Sequence, residues 1–188
     1  LVDRGLVLDQ KGSGSNLAAP AWPNVNQAPG AITIEAWLPP TARPGEDVIA
    51  CSGGGDQYDG VTQHGGPQWF SPGVGLRLKV ANDTSGTLVL TLTSTNGTVD
   101  FTRGPGAIEP GSATHVGVVI DGGPQMVYMV INGRFADGGP NRTFGYHFFE
   151  EMGSLNPVVG RATCSVGTAS QSVTRLRAYA TNLLVSEL

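Results

Sequence analysis

HVGVVIDGGPQMVYMVINGRF, residues 115–135, contains two strands and the start of a third. Val116, Val118 and Ile120 alternate onto one face, with His115, Gly117 and Val119 on the other. Asp121-Gly122-Gly123-Pro124 is a turn, because Gly permits positive φ and Pro cannot continue a ladder. Val127, Met129 and Ile131 resume the alternation. Asn132-Gly133 is the strongest short hairpin signal, since a type I′ turn needs positive φ at both central positions. The middle of the chain is therefore an antiparallel meander.

Outward from it the same grammar repeats. Residues 5–9 (GLVLD) form a short strand, 11–16 (KGSGSN) a turn, and 17–29 an irregular stretch with Pro20, Trp22, Pro23 and Pro29. From Ala31 to Leu38, Ile32, Ile34, Ala36 and Leu38 share one face, and Thr33, Glu35 and Trp37 the other. Pro39-Pro40 ends that strand. Further strands are expected at 47–51, 75–80, 87–93, 98–102, 157–161 and 172–180, with alternating aromatics at 144–149. Leu183-Leu184 forms the tail. About a dozen short strands between Gly, Pro and Asn turns predict an all-β, antiparallel two-sheet sandwich or jelly roll. No internal repeat or second-domain boundary is visible, so residues 1–188 read as one domain.

Bulk composition agrees. The 188 residues include 28 Gly and 13 Pro, and 14% are charged. The net charge of -4 opposes nucleic-acid binding, which demands a basic stripe. No apolar run approaches the roughly 18 residues of a membrane span. The chain begins at Leu1, which suggests a domain processed or excised from a larger protein. Cys51 and Cys164 can form one disulfide; two unpaired, buried thiols are the alternative. Asn82-Asp83-Thr84, Asn96-Gly97-Thr98 and Asn141-Arg142-Thr143 are glycosylation sequons. Together these features point to an extracellular, secreted glycoprotein.

Four stretches resemble one family. Leu6 to Asp9, GAITIEAWLPP at 30–40, the meander at 115–135 and VTRLRAYATNLLVSEL at 173–188 are similar to the laminin-G-like type of concanavalin A-like jelly roll. In that family a strand like FTIEAWVKP comes early, a meander like HVAVVYDG…LYVNG sits in the middle, and a strand like IDEVRIY closes the domain. The resemblance implies the concanavalin A-like fold. The family spans glycan-binding modules, adhesion domains, glycosidases and lyases, so it leaves function open. The family's Asp in the closing strand, which can help hold a structural calcium, is replaced here. Val173-Thr174-Arg175-Leu176 puts Thr in its place, which weakens the case for calcium, an ion needing six to eight oxygen ligands. No ligand set is assigned.

The segment 52–72, SGGGDQYDGVTQHGGPQWFSP, has no strand pattern, and so long a connection in a compact domain is usually functional or disordered. Asp56, Tyr58, Asp59, Gln63, His64, Gln68 and Trp69 supply what sugar recognition needs. An aromatic face meets the C–H face of a pyranose, and amides and carboxylates meet its hydroxyls. A plain surface loop with Trp69 and Phe70 plugged onto the sandwich edge is the alternative. A second candidate is an outer sheet face bearing Trp37, Arg77, Arg175, Arg177 and Tyr179, which could equally be ordinary solvated side chains.

Catalytic assignments are not supported. A glycosidase needs two carboxylates a fixed distance apart, and Glu150 and Glu151 would point to opposite faces of a strand. Tyr58, His64, His115, Tyr146 and His147 match a lyase by residue type only. His115 opens a strand at a family-typical place and reads as structural. Zinc spacing, a Ser elbow and a phosphate loop are absent. The expectation is a non-catalytic carbohydrate-binding module whose partner is a glycan or polysaccharide. The alternatives are a polysaccharide-active lyase or hydrolase, or a protein-interaction module.

Overall fold

A computed structural model describes residues 5–18, 20, 22–23, 25, 30–42, 44–53, 75–80, 86–94, 97–103, 108–109, 111–135, 146–149, 162–167, 173–184 and 188. In chain order the strands are β1 (Leu6–Lys11), β2 (Gly14–Ala18), β3 (Ala31–Leu38), β4 (Asp47–Gly53), β5 (Gly75–Val80), β6 (Leu88–Ser94) and β7 (Gly97–Arg103). They continue with β8 (Thr114–Asp121), β9 (Met126–Ile131), β10 (Arg134–Phe135), β11 (Tyr146–Phe148), β12 (Ala162–Val166) and β13 (Arg175–Tyr179). All pairings are antiparallel. A seven-stranded sheet runs β1-β13-β3-β8-β9-β10, with β11 also on β9; a six-stranded sheet runs β2-β12-β4-β5-β6-β7. This is the expected concanavalin A-like sandwich. No helix of the described residues is long and apolar enough to cross a membrane.

One apolar cluster joins the two sheets. Ile32, Ile34, Val118, Ile120 and Leu176 from the first meet Ile49, Leu76, Leu78, Leu90 and Leu92 from the second. Trp22 and Val25, from the Pro-rich stretch, are buried in the same cluster. The meander folds as its sequence dictates. Asn132 and Gly133 take φ of 51° and 71°, and Arg134 pairs with Ile131 across them. Gly122 donates to the Gly30 carbonyl at 2.9 Å; a Cβ there would lie 2.5 Å from the carbonyl oxygens of both Gly30 and Val25.

The strand assignments need correction in two places. Residues 11–16 are not simply a turn. β1 continues through Lys11, Gly12 and Ser13 connect, and β2 starts at Gly14 in the other sheet. Both strands are edges with partly solvated faces, so neither shows a buried apolar stripe. Cys51 and Cys164 lie inside strands β4 and β12. ATCSV escaped recognition as a strand because only its inward Cys164 and Val166 are buried. The expected strand at 157–161 lies outside the described residues. Cys51 and Cys164 are direct register partners and form the disulfide, across a separation of 113 residues.

The tail folds back over the outer face of the seven-stranded sheet. Leu183 is buried and its N–H donates to Thr33 Oγ1 at 3.0 Å. Thr33 Oγ1 donates to the Thr181 carbonyl, and Tyr128 Oη donates to the Leu183 carbonyl. The tail therefore straddles the register row Thr33–Val119–Tyr128. Leu188 lies against Gly117, where a Cβ would meet it at 2.9 Å. This cover accounts for Thr33 and Val119 being fully buried although they point away from the core.

Candidate functional site

Asp56, Tyr58, Asp59, Gln63, His64, Gln68 and Trp69 all lie outside the described residues, as do Asn82, Asn96 and Asn141. What the structure fixes is where their segment is rooted. It leaves β4 at Gly53 and returns in β5 at Gly75. These strands are hydrogen-bonded neighbours, with Ser52 opposite Gly75, in the middle of the six-stranded sheet.

The outer face of that sheet is polar. Along one register row stand Ser165, Ala50, Arg77, Thr91 and Asp100. Arg77 is 49% exposed, and Asp47 grips it twice: Nε donates to Oδ1, and Nη2 donates to Oδ2 at 3.0 Å. The Asp47 hydrogen bonds hold the guanidinium pKa above its ordinary value. Thr91 Oγ1 donates to Asp100 Oδ1 at 2.6 Å, and Thr98 Oγ1 donates to Thr93 Oγ1 at 3.3 Å. Lys79, one alternation beyond Arg77, is in register with Asp47 and, among the described residues, has no ion pair.

The expected five-residue face is split. Trp37, Arg175, Arg177 and Tyr179 do share an outer face, that of the seven-stranded sheet. Arg77 does not join them, because β5 pairs with β4 and β6 in the other sheet. Alternation tells which side of a strand a residue takes, not which sheet the strand enters.

The four form a network around Glu35, itself 6% exposed. Glu35 Oε1 lies 3.1 Å from His115 Nε2, and Tyr179 Oη donates to Oε2 at 3.1 Å. Arg177 Nη1 stands 3.9 Å from Glu35, and Arg177 Nε stands 3.9 Å from Asp9. Its guanidinium lies over Trp37 at 5.5 Å, and the Trp37 and His115 rings are 4.8 Å apart. Arg175 holds Asp9 bidentately, by Nε at 2.9 Å and Nη2 at 2.7 Å. Those bonds lower the Asp9 pKa. Burial, then the Glu35 charge, raises that of Tyr179, so the phenol stays the donor.

The network stitches β1, β13, β3 and β8 together. Glu35 thereby engages β8 through His115 and β13 through Tyr179. Glu35 and Asp9 carry it, yet neither stood out in the sequence as a site residue. The available signal was a carboxylate beside Trp37 on one strand face. Glu150 and Glu151, and the side chains of Tyr146 and His147, lie outside the described residues.

Thr174 stands where the family carries Asp, and its Oγ1 donates to the Trp37 carbonyl at 2.9 Å. Among the described residues no three His, Cys, Asp or Glu side chains converge to hold a metal ion.

With the sandwich and its faces in place, comparison with known proteins gives the class. The chain belongs to the concanavalin A-like lectin/glucanase superfamily: its laminin-G-type family model matches residues 11–163. Curated protein sequences give no match. Among solved structures, the CBM40 of the Ruminococcus gnavus IT-sialidase is 14% identical with a TM-score of 0.61, covering 98% of this chain and 97% of that one. The same module bound to α2,3 sialyllactose superposes with a TM-score of 0.62. A leech intramolecular trans-sialidase in complex with 2,7-anhydro-Neu5Ac is 12% identical with a TM-score of 0.61; the match covers all of this chain but 28% of that enzyme. At such identities the shared property is the fold.

Proposed function

We propose that this chain is a non-catalytic carbohydrate-binding module, with its site where the segment 54–74 meets the outer face of the six-stranded sheet. One observation carries the reading. The residues suited to sugar recognition are tethered at both ends to the centre of a sheet whose outer face offers hydroxyls and a braced arginine. A glycan can lie along such a face while Trp69 or Tyr58 stacks on a ring, and Asp56, Asp59, Gln63, His64 and Gln68 bond its hydroxyls. That the CBM40 of the Ruminococcus gnavus IT-sialidase, a structural neighbour, is seen bound to α2,3 and to α2,6 sialyllactose supports the reading.

The buried Cys51–Cys164 disulfide fits an oxidising compartment. We place the protein outside the cell, with glycans on Asn82, Asn96 and Asn141 and further domains in a longer chain. Enzymatic glycosidase treatment followed by mass spectrometry tests the sequons: no mass change would remove them.

The test of binding is affinity electrophoresis of the intact chain through plant, fungal, algal and animal polysaccharides. It is run with calcium and with chelator. Retardation by one polysaccharide, abolished by Trp69→Ala, is expected. No retardation anywhere would favour a protein-interaction module, and new reducing ends or unsaturated products would establish an enzyme. Loss of retardation in chelator would assign a bound calcium.

A further inference from the structure

The Asn132-Gly133 pair that closes the hairpin is also a chemically reactive pair. In an open chain the glycine amide nitrogen can attack the asparagine side-chain carbonyl carbon, because glycine has no side chain to shield that nitrogen. A C–N bond forms, the attacking nitrogen gives up its proton, and the carboxamide nitrogen leaves with it as ammonia. Water then opens the cyclic imide at either carbonyl. One product is aspartate; the other is isoaspartate, whose main chain runs through the side-chain carbon. Asn132 and Gly133 are both exposed, and a Cβ built on Gly133 would meet no atom of the described residues within 4 Å. Burial therefore does not protect the pair.

The turn does. Asn132 has φ of 51°, which for a residue with a Cβ means the left-handed region, with ψ of roughly +30 to +60°. At such ψ the Gly133 nitrogen lies nearly opposite Cβ about the Cα–C bond, whereas closing the imide ring needs the two nearly eclipsed. The carboxamide is also held. Asn132 Oδ1 accepts from the His115 N–H at 2.8 Å, and the Asn132 N–H donates to the His115 carbonyl at 2.9 Å. Asn132 is thus clasped to β8 by backbone and side chain together, while Arg134 pairs with Ile131 across the turn. Rotating the Asn132 Cα–C bond to the reactive geometry carries Gly133 out of the turn and breaks that pairing.

We propose that Asn132 is a deamidation site latched by its own hairpin: the folded turn withholds the carboxamide from Gly133, and the modification proceeds only through opening of the β9–β10 end. The two products then differ in consequence. Aspartate keeps an acceptor for the His115 N–H, now charge-assisted, and leaves the turn intact. Isoaspartate lengthens the main chain by one carbon inside the turn, so the clasp on His115 and the Ile131–Arg134 pair cannot both re-form. The His115 ring meets Glu35, so loosening this clasp also reaches the polar network of the seven-stranded sheet. The site is independent of the carbohydrate-binding reading.

Ageing of the intact chain tests it. The chain is held at mildly alkaline pH, folded and in urea, then digested and analysed by chromatography with mass spectrometry, which separates aspartate from isoaspartate. Deamidation of Asn132 is expected to run about thirtyfold or more slower in the folded chain, the factor for opening two hydrogen bonds. On warming below the melting transition, the rate in the folded chain should rise in step with hydrogen exchange of the Asn132 amide, which reports the same opening. Asn132→Asp is expected to hold the thermal midpoint, and the isoaspartate form, isolated from the aged chain, to melt lower. Equal rates in the folded and unfolded chain would overturn the latch. A slow rate that does not follow amide exchange would assign the protection to the fold at large and overturn gating by the hairpin. An isoaspartate form as stable as the unmodified chain would overturn the consequence drawn for the turn. Deamidation of Asn132 in neither state would overturn it as a site.

Discussion

Glu35 is the residue on which the seven-stranded sheet's outer face turns. It is 6% exposed, yet it meets His115, Tyr179 and Arg177 on two neighbouring strands. Removing one member of such a buried group leaves the others desolvated and unpaired, which costs more than the bonds themselves. Glu35→Ala is therefore expected to lower the unfolding free energy by roughly 3 kcal/mol in urea melts. A loss under about 1 kcal/mol would show the network to be loosely solvated. Tyr179 gives a pH signature. Its pKa is raised in the fold, so the protein holds the phenolic proton more tightly than the unfolded chain does. That contribution is complete below the ordinary phenol value of about 10 and is lost as pH climbs above it. Tyr179→Phe should flatten the alkaline limb of a stability-against-pH curve; an unchanged limb would contradict the Glu35 contact. Asp9, whose pKa is lowered by Arg175, acts in the opposite range. Its contribution is present above about pH 4 and drains as pH falls through the depressed value, by a small amount because the pair is a third exposed. At Gly122 the constraint is steric, for a Cβ would overlap two backbone oxygens. Gly122→Ala should destabilise by about 3 kcal/mol.

At the scale of elements, β4 and β12 deserve comparison with the meander. The disulfide joins register partners in these two strands, three residues before the segment 54–74 begins. In the chain-entropy model, closing a loop of this length stabilises by about 4 to 5 kcal/mol. The Cys51→Ser/Cys164→Ser double variant should lose a comparable amount. Because β4 roots the candidate site, it should also weaken retardation by polysaccharide at temperatures where the variant is still folded. The meander was legible because local rules settle it: Asn132-Gly133 can hardly do anything else, and the alternation on each side is uninterrupted. β12 was not legible because its partners β2 and β4 lie far away in sequence and ATCSV has too few apolar residues to announce a face. The partition of strands between sheets was equally invisible. Trp37 and Arg77 both point outward, but one faces away from each side of the sandwich. Local pattern carries no information on that choice.

For the whole molecule, two outer faces with different characters emerge. The seven-stranded sheet is partly roofed by its own tail and crossed by the Glu35 network. The six-stranded sheet carries short hydroxyl side chains and a braced arginine, with the 54–74 segment rooted at its centre. The sequence pointed to that segment by composition, through its Trp, Tyr, amides and carboxylates. It could not reveal Asp47 as the brace of Arg77, because that contact spans two strands joined by the segment itself. The account therefore predicts binding on one face and not on the other. The direct measurement is amide chemical-shift mapping of the intact chain, titrated with an oligosaccharide of the polysaccharide that retards it. Shifts concentrated at residues 54–74 and along β4, β5 and β6, with β3, β8 and β13 silent, are the predicted result. Shifts centred on Trp37, His115 and Arg177 would contradict the account and move the site to the opposite face.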